Sequence, residues 1–309
     1  MILRLLFIFA FLISNQVIAQ SNDRKKLLSD LEKLSSDRFE GRKTGSYGNK
    51  LAAEYISSRF KEAGLESYND GYKHSFSFKN SKDEQLNGTN LIGFIKGKSN
   101  DAIVITAHYD HLGIRNNEIF NGADDNASGV SVLIAISEYF SKHKPENTLI
   151  FIAFDAEEMG MQGAKSYIKK PLPSRSGIKL NVNLDMVSRN DRAELYAAGT
   201  YYNPVLKEFI TEAGKNSGIK ILFGHDIPGS GKDDWTLQSD HGVFAKENIP
   251  FIYFGVEDHA GYHQSSDKFS EVNPDFFHSA SNAILRNVIE FDRNMDKIKT
   301  SSPKSLPTK

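Results

Sequence analysis

The chain has 309 residues, a net charge of −1, 39% hydrophobic and 25% charged residues, and no cysteine. That length holds one large domain or two small ones, and the composition is that of a soluble globular protein. Near-neutrality excludes the basic footprint of a nucleic-acid or anionic-membrane binder. Without cysteine there are no disulfides and no lipid anchor through an N-terminal Cys, and any metal falls to His, Asp and Glu.

Met1 to Arg4 carry one positive charge, Leu5 to Ile13 are unbroken apolar, and Val17-Ile18-Ala19 supply small residues before Gln20. The apolar run is much shorter than the roughly 20 residues a spanning helix needs, so residues 1–19 read as a secretory signal peptide rather than an anchor. Export to the periplasm or the extracellular space follows, with no membrane association once the signal is cleaved. Cleavage removes only Arg4 among the charged residues, so the mature chain stays near neutrality.

Asp23 to Ser35 is a short amphipathic helix through Leu27, Leu28, Leu31 and Leu34. F-E-G-R-K-T-G-S-Y-G reads as a charged loop, and Asn49 to Ala63 as a helix stopped by Gly64. Tyr72 to Phe78 alternates as a strand, with Gly88 to Gly97 as its antiparallel partner. Ile103 to Ala107 and Thr148 to Phe154 are continuous apolar runs, the pattern of strands buried on both faces.

Ser128 to His143 and Gly163 to Lys169 are helical, and Ile178 to Met186 is a third strand ending at Asp185. Further strands are expected at Ala193 to Ala198, Ile219 to Phe223 and Pro250 to Phe254, with helices at Pro204 to Asn216 and Pro274 to Met295. The Gly-, Asp- and Ser-rich stretch from Gly224 to Ser239 reads as a functional loop. This alternation predicts a single α/β domain over residues 20–298, with a mostly parallel central mixed sheet flanked by helices. The Pro-, Ser- and Lys-bearing residues 299–309 read as a disordered tail.

Potential ligands stand where strands end or in the loops after them: His108, Asp124 or Asp125, Glu157 or Glu158, Asp185 and His263. One such His or Glu pair is ordinarily structural; five at successive strand ends point to a metal site. Asp110, two residues past His108, lies on the same side of a continuing strand and is placed to accept the proton of the other His108 ring nitrogen. His111 and His241 read as structural residues, His259 as a candidate pocket-lining residue in the loop near His263, and Arg189 as either an ion pair or a partner for a substrate carboxylate.

The ordered motifs A-H-Y-D-H, G-A-D-D-N-A-S-G, F-D-A-E-E-M-G, N-L-D-M and Y-H-Q-S-S-D resemble those of the co-catalytic di-zinc aminopeptidase family, which includes glutamate carboxypeptidases and, as divergent relatives, glutaminyl cyclases. The resemblance spans residues 30–295 and implies a zinc-peptidase fold of the phosphorylase/hydrolase-like type. It implies two Zn²⁺ per chain, with Mn²⁺ or Co²⁺ as substitutes: His108 and Asp185 on one, Glu158 and His263 on the other, and Asp125 bridging both. Asp125 rather than Asp124 is chosen because the family's bridging Asp stands three residues before the Ser of the Ser-Gly pair, here Ser128. Two Zn²⁺ against three carboxylates leaves room for one bridging hydroxide.

The same resemblance makes Glu157 the general base for that metal-bridged hydroxide and Tyr262 an oxyanion donor, supports the role of Asp110 beside His108, and implies a cis peptide at Asp125–Asn126. The expected activity is hydrolysis of the N-terminal bond of peptide substrates. The alternatives are a carboxypeptidase or dipeptidase of the same family, a one-zinc glutaminyl cyclase, or a non-catalytic binding module. The residue preferred at the substrate N-terminus is not legible, and the oligomeric state stays open, a monomer being the simpler expectation.

Overall fold

The apolar runs at residues 103–107 and 148–154 become adjacent parallel strands at the centre of an eight-stranded sheet in the computed structural model of the chain. Residues 21–68, 71–301 and 303–306 are described. The expected signal peptide lies outside the described residues.

In chain order, α1 (Arg24–Leu34) and α2 (Tyr47–Glu62) precede a hairpin of β1 (Lys73–Lys79) and β2 (Gln85–Ile95). β3 (Ser99–His108) leads to a small hairpin, β4 (Gly113–Arg115) and β5 (Glu118–Phe120), and then to α3 (Gly129–Lys142). β6 (Asn147–Phe154), α4 (Gln162–Lys169), β7 (Ile178–Leu184), β8 (Glu194–Ala198), α5 (Leu206–Gly214) and β9 (Lys220–Phe223) follow. The chain then forms α6 (His241–Lys246), β10 (Phe251–Gly255), α7 (Pro274–Arg293) and α8 (Met295–Thr300).

The sheet order is β1-β2-β6-β3-β7-β10-β8-β9. The middle four strands, β6, β3, β7 and β10, run parallel, while β2 is antiparallel to β6 and β8 to β10. This is the expected mixed sheet with a parallel centre. Parallel strands covered on both faces must bury both sets of side chains. Accordingly Ile103 and Ile105 of β3, with Leu149 and Phe151 of β6, pack into the layer containing α1, α2, α3, α5 and α7. Val104, Ile150, Ile152 and Phe154 pack on the opposite face against α4 and α6.

Three local features differ from the sequence reading. The β4–β5 hairpin and α6 are too short, at three residues per strand and six in the helix, to carry a legible periodicity. The expected domain boundary after residue 298 falls inside α8, and the main-chain N–H of Lys304 still donates to Tyr202 O at 2.8 Å. Among the described residues no helix is long and apolar enough to cross a membrane.

Candidate metal centre

The carboxyl ends of the four parallel strands meet at one point, and each delivers a polar residue there. β3 ends on His108, β6 runs into Asp155 to Glu158, β7 into Asp185, and β10 into the loop that carries Tyr262 and His263. A strand holds its last side chain rigidly while the loop beyond it is free to vary, which is why sites gather at this edge.

His108 Nε2 lies 3.3 Å from Asp125 Oδ1 and 3.4 Å from Asp185 Oδ1. The other Asp125 oxygen, Oδ2, is 3.2 Å from His263 Nε2, which is 3.5 Å from Glu158 Oε2. Asp125 therefore faces two clusters with one oxygen each, and the Asp125–Asn126 peptide is cis, as expected. His108, Asp125 and Asp185 present ligand atoms within 4.8 Å of one another, and so do His111, Asp125 and Glu158. The second set includes a residue the sequence reading assigned to structure: His111 Nδ1 is 2.8 Å from Glu158 Oε1. Its imidazole follows β3 by three residues, a spacing that carries no signal when the chain has already left the strand.

The residues present fit zinc. The donors are imidazole nitrogens and carboxylate oxygens, and His111 Nδ1 and Glu158 Oε1 are buried without a hydrogen-bond partner, which is costly unless a cation satisfies them. Burial alone would push the Asp125 carboxyl up, but the surrounding His111, His108 and His263 outweigh it and hold that group well below the usual carboxylate range. Glu157 belongs to neither cluster. It opens into the same pocket as Tyr262, and burial, countered by His108 and reinforced by Asp240, Asp185 and Asp110, pushes its carboxyl well up.

Asp110 acts differently from expectation. His108 Nδ1 meets the main-chain carbonyl of Asp110 at 3.1 Å, whereas its Oδ1 is 3.8 Å away. The carboxylate instead accepts the N–H of Glu157 at 3.0 Å and of Glu158 at 3.3 Å, because the turn after β6 brings two unpaired amides beside it. Asp110 thus supports His108 through its backbone and the Glu157-Glu158 turn through its side chain.

The loop that carries Asp125 is anchored on three sides. Asp267 accepts the amides of Asp124 and Asp125. Asp124 Oδ1 accepts Ser188 N at 2.7 Å, and its Oδ2 lies 3.0 Å from His259 Nε2, so His259 pins the His263 loop rather than lining the pocket. At the start of α3 a side chain on Gly129 would lie 2.5 Å from Leu184 O, so only glycine lets the loop approach the end of β7.

Arg42, within the stretch read as a charged loop, is 1% exposed and donates to the carbonyls of Leu34, Tyr109, Asn121 and Gly122, clamping both ends of the segment from His108 to Asp125. Nothing in a single arginine of a Gly-rich run announces burial. Arg189 forms an ion pair with Glu271 at 3.5 Å, and His241 is buried with Nε2 3.0 Å from Trp235 O.

The pocket is also lined by Met186, Trp235, Gln238, Tyr253, Val256 and Tyr262, and the Gly224 to Ser239 loop contributes through Trp235, Gln238 and Ser239. Asp258 stands exposed at its rim. A second cleft shares Glu158 with this pocket and carries Lys43 and Arg115 beside His111.

Residues 90–288 match the sequence profile of peptidase family M28, and the chain belongs to that family. This agrees with the resemblance read from the motifs. The alkaline phosphatase isozyme conversion protein of Escherichia coli K12 is 26% identical over 205 residues, 61% of this chain and 57% of that protein. The aminopeptidase YwaD of Bacillus subtilis is 27% identical over 224 residues, 68% of this chain and 46% of that protein. The chain thus spans about half the length of these curated relatives.

Among solved structures, BSAP, a zinc aminopeptidase from Bacillus subtilis, superposes with a TM-score of 0.74 at 17% identity, covering 94% of this chain and all of that one. A Porphyromonas gingivalis glutaminyl cyclase gives 0.73 at 17% identity, covering 87% and 99%. At that identity these likenesses show the fold alone.

Proposed function

We propose that the chain is an exported aminopeptidase that holds two zinc ions and removes N-terminal residues from peptides. The observation that carries this reading is the division of Asp125, one oxygen toward His108 and the other toward His263, with Glu157 facing the same pocket outside both clusters. His108, Asp125 and Asp185 would hold one ion, and Asp125, Glu158 and His263 the other. Zinc bound there supplies a Lewis acid that polarises a carbonyl and makes water more acidic.

The remaining work belongs to the chain's own groups. A Glu157 carboxylate oxygen takes the proton from the attacking water and returns it to the leaving amine. The Tyr262 hydroxyl donates to the oxygen that becomes negative as the carbonyl turns tetrahedral. Its ring lies against His263, with centroids 4.0 Å apart, so ligand and donor keep a fixed relation. Asp110 holds the Glu157-Glu158 turn and thereby aims both carboxylates.

End recognition follows from charge. The pocket containing Glu157 is lined by no Lys or Arg among the described residues and has Asp258 at its rim, which suits a protonated N-terminal amine. One observation favours a second reading, a dipeptidase or carboxypeptidase: Lys43 and Arg115 flank the adjoining cleft, where a substrate carboxylate would find two cations. Aminoacyl-p-nitroanilides assayed against N-blocked peptides with a free C-terminus separate the two. Hydrolysis of the first set only, lost in Glu157→Ala, supports the aminopeptidase. Activity confined to the second set rejects it, and cyclisation of N-terminal glutamine without hydrolysis would assign a glutaminyl cyclase.

Export rests on the leader-like residues 1–19. Mass analysis of the protein recovered outside the cytoplasm tests it: a mature N-terminus at Gln20 is expected, and an intact Met1 contradicts it.

A further inference from the structure

The second metal position has one imidazole more than the family-like ligand set uses. Resting on the two-metal reading above, we propose that His111 is a direct ligand of the second ion through Nδ1, sharing it with Asp125, Glu158 and His263.

His111 is 1% exposed, and its Nδ1 stands 2.8 Å from Glu158 Oε1 and 3.6 Å from Asp125 Oδ2. At 2.8 Å a nitrogen and an oxygen ordinarily share a proton, yet His111 Nδ1 and Glu158 Oε1 are both buried without a hydrogen-bond partner. Two buried polar atoms of this kind, close together and unsatisfied, are a costly arrangement by themselves. A cation held by this pair would satisfy both at once, leaving His111 Nε2 as the ring's one buried nitrogen without a partner.

The surroundings are cut to fit the ring. Gly122, at φ +57°, faces the imidazole so closely that an added side chain would lie 2.5 Å from His111 Cδ2. The loop that delivers His111 is held by Arg42, whose carbonyl accepts the His111 N–H at 3.4 Å and whose guanidinium holds Tyr109 O.

His263, by contrast, has a 39% exposed side chain and a left-handed backbone at φ +54° on a surface loop. His111 is therefore the buried anchor of the second ion and His263 its solvent-side closure. Two imidazoles with two carboxylates complete a four-donor set, while His108, Asp125 and Asp185 leave the first ion with three protein donors. The second position, with four protein donors, would then be the tighter of the two.

The test uses the mature protein freed of metal and reloaded with Co²⁺. Each ligating imidazole gives one exchangeable, hyperfine-shifted N–H signal in the proton NMR spectrum. Three such signals are expected, from His108, His111 and His263, and His111→Ala should lose one, with the tighter of two binding events in a zinc titration weakened at least 10-fold. A residue that merely steadied Glu158 would leave two signals in both proteins, and that result overturns the inference. His111→Asn, which keeps a polar group of similar size, supplies the same readout if His111→Ala does not fold. A wild type that takes up no metal overturns the metal-site reading itself; a wild type and His111→Ala that bind two ions with equal affinity overturn only the role of His111.

Discussion

The carboxylate of Asp110 accepts the main-chain N–H of Glu157 at 3.0 Å, tying the end of β3 to the turn after β6. That bond sets the direction of the Glu157 side chain without touching it. Asp110→Ala should therefore lower kcat for aminoacyl-p-nitroanilides about 10- to 100-fold and weaken zinc by a similar factor, the usual cost of losing a group that orients ligands. Wild-type kcat with wild-type zinc affinity would show that the turn holds itself.

Glu157 lies outside both clusters, so its loss should separate chemistry from metal binding. Glu157→Ala is expected to retain wild-type zinc content, measured by elemental analysis, while kcat falls about 10²- to 10⁴-fold. A parallel loss of zinc would make Glu157 a ligand instead.

Arg42 donates to four main-chain carbonyls in the interior. Burial lowers its pKa to about 10, an effect that Asp125, Asp267, Asp110 and Glu158 partly offset, so the guanidinium stays charged at neutral pH. Arg42→Met strands those carbonyls, and a loss of about 3–5 kcal/mol is expected. For a chain of this size that is a fall in Tm of roughly 10 °C by calorimetry. A shift of only a degree or two would contradict the clamp.

His241 makes stability depend on pH. Burial lowers its pKa to about 4 from an ordinary 6.5 and outweighs the Trp235 carbonyl, which accepts from Nε2–H and raises it; a second proton would sit on a buried Nδ1 without a partner beside Phe251. A depressed folded-state pKa means stability that is full above pH 6.5 and lost as pH falls toward 4. The difference across that window is about 3 kcal/mol. Denaturant unfolding at pH 7.5 and pH 5 should show a smaller loss in His241→Gln than in wild type; equal losses would place the acid sensitivity elsewhere.

Much of this was legible in the sequence, and the exceptions share a physical cause. The strands at residues 103–107 and 148–154 announced themselves because burial on both faces demands unbroken apolar runs. The polar residues gathered at the strand ends were legible because a polar residue closing such a run is conspicuous. His111, Arg42 and Asp258 were not, since each lies outside the regular strands and long helices, where contacts far away in the chain set its position. The Asp110 carboxylate was assigned to His108 by proximity in sequence, whereas the fold gave it the amides of Glu157 and Glu158, 47 and 48 residues on. The cis peptide at Asp125–Asn126 was expected from family resemblance alone, for no local pattern specifies it.

The most direct measurement is a stepwise zinc titration of the metal-free mature protein, followed by hydrolysis of leucine p-nitroanilide. Activity should rise to a plateau at two equivalents per chain, with Glu157→Ala binding the same two and remaining inactive. A plateau at one equivalent, or two bound ions with no cleavage of any free-amine substrate, would contradict a two-zinc aminopeptidase centred on Asp125.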